Sequence, residues 1–162
     1  MKTLSFNSKF GKLILSKIQR YDHDRYWKRR ELVVNPNKSY LIVKLYYLLY
    51  IKRCDARHNC SFGTNLNSGS LFKSPPHLPH GPNGIIIGHD LVIGRNCTIY
   101  HQVTVAHGGG KIGDNVMLGA GSKVMSGCHI GSRSKIGANC VVIENIPANA
   151  TVVLPKPRII LN

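Results

Sequence analysis

A six-residue repeat runs through the second half of the chain and limits the fold more than any other feature. From residue 87 to residue 147 the sequence divides into ten blocks, with one extra residue at Lys111, and every block begins with Ile, Leu or Val. Gly follows this aliphatic residue in six of the ten blocks. A period of six with an aliphatic first residue is typical of a β-helix built from hexapeptides.

Each hexapeptide is expected to form one short strand and a turn. The aliphatic residue then points into a prism, and the small residue at the fifth position fits beside it. Glycine at the second position suits the bend between two faces, either because a side chain would be crowded there or because the backbone needs a positive φ. We predict an all-β main domain whose inner residues are Ile87, Ile93, Ile99, Val105, Ile112, Leu118, Val124, Ile130 and Ile136.

Residues 1–58 are predicted to form a basic α-helical region. Apolar residues recur at intervals of three and four between residues 8 and 30, which predicts an amphipathic basic helix. The Asn-Pro-Asn sequence at 35–37 breaks the chain, and Ser39 is a candidate cap for a second helix over residues 40–53. Two interpretations of these helices stay open: packing on each other and on a neighbouring subunit, or attachment to a membrane surface.

Positive charge is concentrated in the same region. The first 60 residues hold 14 of the 22 basic and 4 of the 7 acidic residues, which is +10 of the net charge of +15. Such a block attracts polyanions, but no known nucleic-acid-binding module is recognisable, so nucleic acid is not predicted as a partner. Without a secretory signal or an apolar stretch of roughly 20 residues, we expect a cytoplasmic protein, with peripheral attachment to the inner membrane face under the membrane interpretation.

Residues 59–162 are predicted to form the β-helix domain with a C-terminal tail. The sequence from Cys60 to Asn65 looks like one more repeat turn ahead of the regular blocks. Residues 70–83 contain four prolines, together with His77 and His80, and are predicted to protrude as a loop. The five cysteines form no CxxC pair, so neither a disulfide framework nor a metal site is expected.

The runs HGPNGIIIGHDLVIGRNCTIYHQVTV, KIGDNVMLGAGSKV and KIGANCVVIENIPANATVV resemble bacterial serine O-acetyltransferases and their relatives in capsule and exopolysaccharide gene clusters. The resemblance covers residues 45–161. It implies a left-handed parallel β-helix, assembly of three chains as a homotrimer, and acetyl-CoA as the acyl donor in the groove between neighbouring chains.

The same resemblance places His80 at the catalytic histidine. An imidazole with a pKa of about 6.5 takes the proton of a hydroxyl while that hydroxyl attacks a thioester. His101 and His107 are further candidates for contacting the substrate or CoA. The expected CoA-binding residues are Gly119, Ala120, Gly137 and Ala138 along the groove, with Lys156 and Arg158 at the phosphates.

The chain also departs from the serine enzymes. Pro79 precedes His80 where they have Asp, and their Asp-Arg-His-Pro loop is reduced to residues 107–111. These differences favour a sugar of a surface polysaccharide, or its precursor, as the hydroxyl acceptor; the alternative is serine O-acetylation in cysteine biosynthesis. Two other classes are a metal protein of the γ-carbonic anhydrase type, with ligands from His80, His101 and His107, and a non-catalytic β-helix.

Overall fold

The computed structural model describes residues 9–156 and 158–160. Three helices come first: α1 Lys9–Gln19, α2 His23–Val34 and α3 Leu41–His58. Fifteen two-residue strands follow among the described residues: β1 Ser61–Phe62, β2 Thr64–Asn65, β3 Ser68–Gly69, β4 Leu71–Phe72, β5 Ile86–Ile87, β6 Val92–Ile93, β7 Thr98–Ile99, β8 Thr104–Val105, β9 Lys111–Ile112, β10 Met117–Leu118, β11 Lys123–Val124, β12 His129–Ile130, β13 Lys135–Ile136, β14 Val141–Val142 and β15 Thr151–Val152.

The strands build a left-handed parallel β-helix, as the sequence predicts. Its first face has the strand order β1-β5-β8-β11-β14, its second β12-β9-β6-β4, and its third β15-β13-β10-β7. Every pairing within these faces is parallel and joins equivalent positions of successive turns, for example Ile87 with Val105 and Leu118 with Ile136. The nine predicted inner residues are all buried, with exposed fractions between 0 and 3 %.

Glycine at the second position of a block is required by crowding. A Cβ atom on Gly113 would lie 2.5 Å from the backbone nitrogen of Ser132 in the next turn, and one on Gly119 would lie 2.7 Å from the backbone nitrogen of Ala138. Positive φ angles occur instead at the fourth position, for example 56° at Asn115. Of the two explanations that the sequence left open for these glycines, close approach of the next turn is the one that applies.

The helical region differs from its prediction at two points. The helix expected over residues 8–30 is divided, because Arg20 adopts a φ of 53° and Asp22 caps α2 by accepting the Arg25 backbone N–H at 2.9 Å; residue 8 lies outside the described residues. The predicted cap Ser39 is not the cap of α3, since Tyr40 occupies that position and makes no side-chain capping bond.

The predicted loop over residues 70–83 belongs partly to the coil. β4 pairs with β6, and His77 bridges Thr98 in parallel, so this stretch supplies a strand to the second face and a bridge to the third. The predicted early turn is present as β1, which pairs with β5. Between β1 and β4 the antiparallel hairpin β2–β3 interrupts the coil.

Helices α2 and α3 share one apolar core with the first turns of the coil. Trp27 of α2 packs its ring against Phe62 at 5.1 Å and Phe72 at 4.7 Å between centroids. Between α2 and α3, the Tyr26 hydroxyl donates to Asp55 Oδ1 at 2.6 Å, and burial raises the pKa of that carboxyl. Within the described residues, no helix is long and apolar enough to span a membrane.

Candidate functional site

One edge of the prism gathers most of the residues that the sequence singles out. It consists of the segments that lead from the third face to the first: residues 78–85, 100–103, 119–122, 137–140 and 153–156, here called the His80 edge. Backbone bonds stack these segments. The Gln102 N–H donates to Asn83 O at 3.0 Å, the Gly121 N–H to His101 O at 3.0 Å, and the Asn139 N–H to Ala120 O at 2.8 Å.

His80 lies at the start of this edge with an exposed side chain. The His101 ring stands perpendicular to it, with 5.2 Å between centroids, and the Tyr100 ring lies at 5.7 Å. The Asn83 side-chain amide donates to the His80 carbonyl oxygen at 3.0 Å, which fixes the backbone that carries the imidazole. The structure therefore brings together two of the three predicted site histidines.

A cleft of about 490 Å³ opens beside His80. Its lining is polar and carries no Lys, Arg, Asp or Glu: it consists of His58, Asn59, His80, Asn83, Gly84, His101 and Gln102. Two ring nitrogens, His58 Nε2 and His101 Nδ1, are buried without a hydrogen-bond partner in the described part of the chain, which is rare for buried polar atoms. The exposed side chains of His80, Asn83 and Gln102 can exchange hydrogen bonds with a hydroxyl compound that enters the cleft.

His58 and Asn83 are site residues that the sequence does not reveal. His58 ends α3, and its Nδ1 lies 2.9 Å from Asn83 Oδ1. They are 25 residues apart in the chain and meet only because α3 packs against the first turn of the coil. The nearest sequence signal is Gly84, whose φ of 68° and backbone N–H bond to His58 O fold the segment back towards the helix.

The predicted CoA-binding residues all lie on the His80 edge or directly beyond it. Ala138 is exposed and Ala120 half-buried, so small side chains line its outer surface. Gly119 is buried, and the crowding described above explains it by packing between turns. Lys156 and Arg158 follow β15 with exposed side chains. The edge thus offers a narrow smooth surface between the two imidazoles and two cations, a surface that suits an extended chain ending in phosphates.

His107 lies on a different edge, between the first and second faces. There it stacks on His89 with 5.8 Å between ring centroids. The structure does not bring it to His80 within one chain. Its loop is held by Asp90, whose Oδ2 accepts the backbone N–H groups of Gly108 at 2.8 Å and Gly109 at 3.1 Å.

The three histidines of the alternative metal site do not come together within one chain. In residues 9–156 and 158–160, no group of three or more His, Cys, Asp or Glu side chains is placed to hold a metal ion. His80 and His101 face each other without a third ligand, and His107 lies on another edge.

Comparison with known proteins bears directly on this fold. The model of the family "bacterial transferase hexapeptide (six repeats)" matches residues 109–144. The repeat in this part of the chain is thus similar to the hexapeptide repeat of bacterial transferases. The chain is also similar to serine acetyltransferases: it is 38 % identical to the serine acetyltransferase of Mycobacterium tuberculosis (strain ATCC 25618 / H37Rv) over 98 residues, which are 56 % of this chain and 42 % of that protein.

Solved structures of serine acetyltransferases extend the likeness to the helices. The Neisseria gonorrhoeae serine acetyltransferase in complex with serine is 28 % identical, with a TM-score of 0.54, and the match covers 91 % of this chain and 56 % of that one. A serine acetyltransferase in complex with CoA is 25 % identical, with a TM-score of 0.61 and coverage of 78 % and 50 %. The chain thus spans about half the length of these hexapeptide-repeat relatives.

Proposed function

We propose that the protein is an acetyl-CoA-dependent O-acetyltransferase. The observation that carries this proposal is the order of residues along the His80 edge: two imidazoles at its start, small side chains along it and two cations after it. A pantetheine arm laid along this surface has its thioester near His80 and its phosphates near Lys156 and Arg158. The CoA complex of a similar serine acetyltransferase supports the choice of donor.

His80 is the proposed general base. It takes the proton of the acceptor hydroxyl as the hydroxyl oxygen attacks the thioester carbonyl carbon. Collapse of the tetrahedral intermediate forms the ester and breaks the carbon–sulfur bond, and the imidazolium returns the proton to the leaving sulfur. Backbone N–H groups of the coil stabilise the oxyanion in this scheme.

His101 is proposed to orient His80. In the serine enzymes that the sequence resembles, an Asp immediately precedes the catalytic histidine. Here Pro79 precedes His80, and its side chain has no hydrogen-bond acceptor. The perpendicular His101 ring restricts rotation of the His80 imidazole, and its buried Nδ1 lacks a partner among the described residues. This role predicts that His101→Ala lowers kcat and changes the pH dependence of kcat. In His101→Gln, kcat and its pH dependence should lie between those of His101→Ala and those of the unmodified protein.

Three chains are proposed to assemble side by side as a homotrimer. The first face carries outward apolar side chains, Ile86 at 40 % and Val141 at 53 % exposure, which a neighbouring prism would cover. Such packing also brings a second chain to the His80 edge and completes the groove for CoA. Light scattering of the purified protein measures the mass; a monomer that is fully active would contradict this assembly.

Serine is the first acceptor to test. The similar proteins are named serine acetyltransferases, and one similar structure contains serine, so the comparisons support this acceptor better than the sugar favoured by the sequence. A sugar hydroxyl remains the second candidate because the cleft lining of this chain has no charged side chain to pair with the carboxylate or ammonium of free serine. Neutral amides and imidazoles are typical partners of sugar hydroxyls.

The reaction is tested by following free CoA thiol release from acetyl-CoA in the presence of each acceptor. His80→Ala is expected to reduce kcat by about 10²–10⁴-fold, the usual contribution of a general base, with little change in acetyl-CoA binding. His89→Ala is the matched control, since His89 is an exposed histidine on another edge. Full transfer activity in His80→Ala would exclude His80 as the base.

The acceptor is decided by a parallel comparison. Equal concentrations of L-serine, serine methyl ester and simple glycosides are offered with acetyl-CoA, and the products are identified by mass. A kcat/KM for L-serine well above that for the ester indicates recognition of the carboxylate and supports serine. Transfer to glycosides without transfer to serine would support the second candidate.

A further inference from the structure

One side of α3 is apolar in its first half and basic in its second half. Its apolar part comprises Tyr40 immediately before the helix and five residues spaced along one side, with exposures of 84 % at Tyr40, 78 % at Ile42 and 66 % at Leu49. The basic residues on the same side are exposed too. This surface, here called the α3 face, consists of Tyr40, Leu41, Ile42, Leu45, Tyr46, Leu49, Arg53 and Arg57.

The fold does not need the α3 face. The opposite side of the helix already holds it in place through buried Ile51, Cys54 and Asp55, and through Lys44. The Lys44 ammonium donates to Asn35 O at 2.7 Å and to Asn67 Oδ1 at 2.6 Å. An apolar surface of this extent on an already anchored helix marks a site of interaction.

The charges around the surface indicate the kind of partner. The sole acidic residue of α3 is Asp55, which is buried on the other side, so every charge on the α3 face is positive. The first 60 residues together carry an excess of +10. A second copy of the same chain brings like charges to the contact, whereas a layer of anionic headgroups brings opposite ones.

We propose that the α3 face binds the protein to the surface of an anionic membrane. In this arrangement α3 lies parallel to the bilayer, its aliphatic residues enter the headgroup boundary, and Tyr40 and Tyr46 lie at headgroup level, where tyrosine is enriched. Arg53 and Arg57 contact the phosphates. The sequence left membrane attachment open for the basic helix over residues 8–30, whereas the surface proposed here belongs to α3.

The test is vesicle flotation of the full chain. Vesicles of phosphatidylcholine alone are compared with an equimolar mixture of phosphatidylcholine and phosphatidylglycerol, and the salt concentration is varied. Binding is expected only to the anionic vesicles and is expected to fall with salt, because exposed charges are screened over about 10 Å at 0.1 M ionic strength. No binding to anionic vesicles at low salt would overturn the proposal.

Variants locate the contact. The double variant Arg53→Gln, Arg57→Gln is expected to weaken partitioning of the protein onto anionic vesicles roughly fivefold for each residue. The double variant Ile42→Ser, Leu49→Ser is expected to abolish this partitioning. Lys123→Gln with Lys135→Gln is the matched control, since both lysines are exposed on the coil. All four α3 side chains are exposed, so unfolding temperatures should not change; the salt series on the unmodified chain decides the question if one variant fails to fold.

Light scattering distinguishes the two possible partners of the α3 face, a membrane and a second copy of the chain. If Ile42→Ser with Leu49→Ser lowers the molar mass in solution and leaves vesicle binding unchanged, the α3 face is an interface between copies and the proposal is wrong. An unchanged mass together with lost vesicle binding supports the membrane. These outcomes do not depend on acetyl transfer, so failure of the proposed enzymatic function would leave them intact.

Discussion

The fourth residue of a hexapeptide carries the backbone conformation that turns the chain from one face to the next. Positive φ angles occur there on all three edges of the prism, at residues that include Asn96, Gln102, Asn115, Arg133 and Asn139, and at Gly121 and Gly127. The left-handed region costs a residue with an ordinary side chain about 1–2 kcal/mol, and Asn and Gly tolerate it best. The frequent Asn and Gly at this position therefore have a backbone cause.

Asn115 offers a direct test of this cause, because it is exposed and lies away from the His80 edge. Asn115→Ala is expected to lower the free energy of unfolding by about 1 kcal/mol, since Ala pays the full steric cost at a φ of 56°. Asn115→Gly is the control and should be neutral within about 0.5 kcal/mol. Urea unfolding followed by circular dichroism measures both; equal losses in the two variants would contradict a backbone origin.

Ala120 tests the proposed path of the CoA arm. A large ring at this half-buried position would obstruct the outer surface of the His80 edge without entering the core. Ala120→Trp is expected to weaken acetyl-CoA binding about tenfold, equivalent to about 1.4 kcal/mol, in calorimetry. Ala148→Trp is the matched control, since Ala148 is an exposed alanine just before the positive-φ residue Asn149 on another edge. Unaltered affinity in Ala120→Trp would remove this residue from the path.

At the level of strands and helices, the sequence predicts what is periodic. Nine inner positions follow from the six-residue spacing alone, because each block repeats the same environment. The exceptions are set locally or by packing. A single left-handed residue, Arg20, divides one predicted helix. The four prolines in residues 70–83 predict a loop, although β4 in this stretch pairs with β6 in the coil. His58 enters the cleft through the packing of α3 on the coil, which no sequence period records.

The glycine-rich loop over residues 107–111 is shaped by a single carboxylate. Asp90 accepts two successive backbone N–H groups from Gly108 and Gly109. The Gly108 N–H bond is the main cause that lowers the pKa of Asp90 below its ordinary value of 3.8. Because these donors favour the ionised form, the loop conformation depends on the charge of Asp90.

Acid should therefore release this loop. The pKa of Asp90 is lower in the folded state than in the unfolded state, so ionised Asp90 stabilises the loop fully above its unfolded pKa. This stabilisation is lost as the pH falls through the folded pKa, which lies below 3.8. The amide proton resonances of Gly108 and Gly109 are expected to move together in that range in an NMR titration. Asp90→Asn should abolish the titration, and Asp114→Asn should leave it unchanged. Movement centred above pH 5 would contradict this assignment.

Across the whole molecule, the buried Arg30 makes the largest set of side-chain hydrogen bonds between a helix and the coil. Arg30 of α2 donates to Thr64 Oγ1 at 2.9 Å, to Phe62 O at 2.8 Å and to Ser70 O at 2.7 Å. Its guanidinium also lies over the Phe72 ring at 4.7 Å, and burial lowers its pKa to about 10. These acceptors belong to the first turn and its hairpin, so Arg30 connects α2 to the β-helix.

This connection predicts how the whole chain unfolds. Arg30→Met keeps an unbranched apolar side chain but leaves three acceptors without their donor, and we expect a loss of about 3 kcal/mol or more in the free energy of unfolding. Lys28→Met on the same helix removes an exposed cation and should change stability by no more than about 0.5 kcal/mol. Because helices and coil share one core, thermal unfolding followed by far-UV circular dichroism and by tryptophan fluorescence should give one coincident transition in both variants. Two separated transitions in Arg30→Met, with the helical signal lost first, would show instead that residues 1–58 fold as a unit of their own and that Arg30 only docks them on the coil.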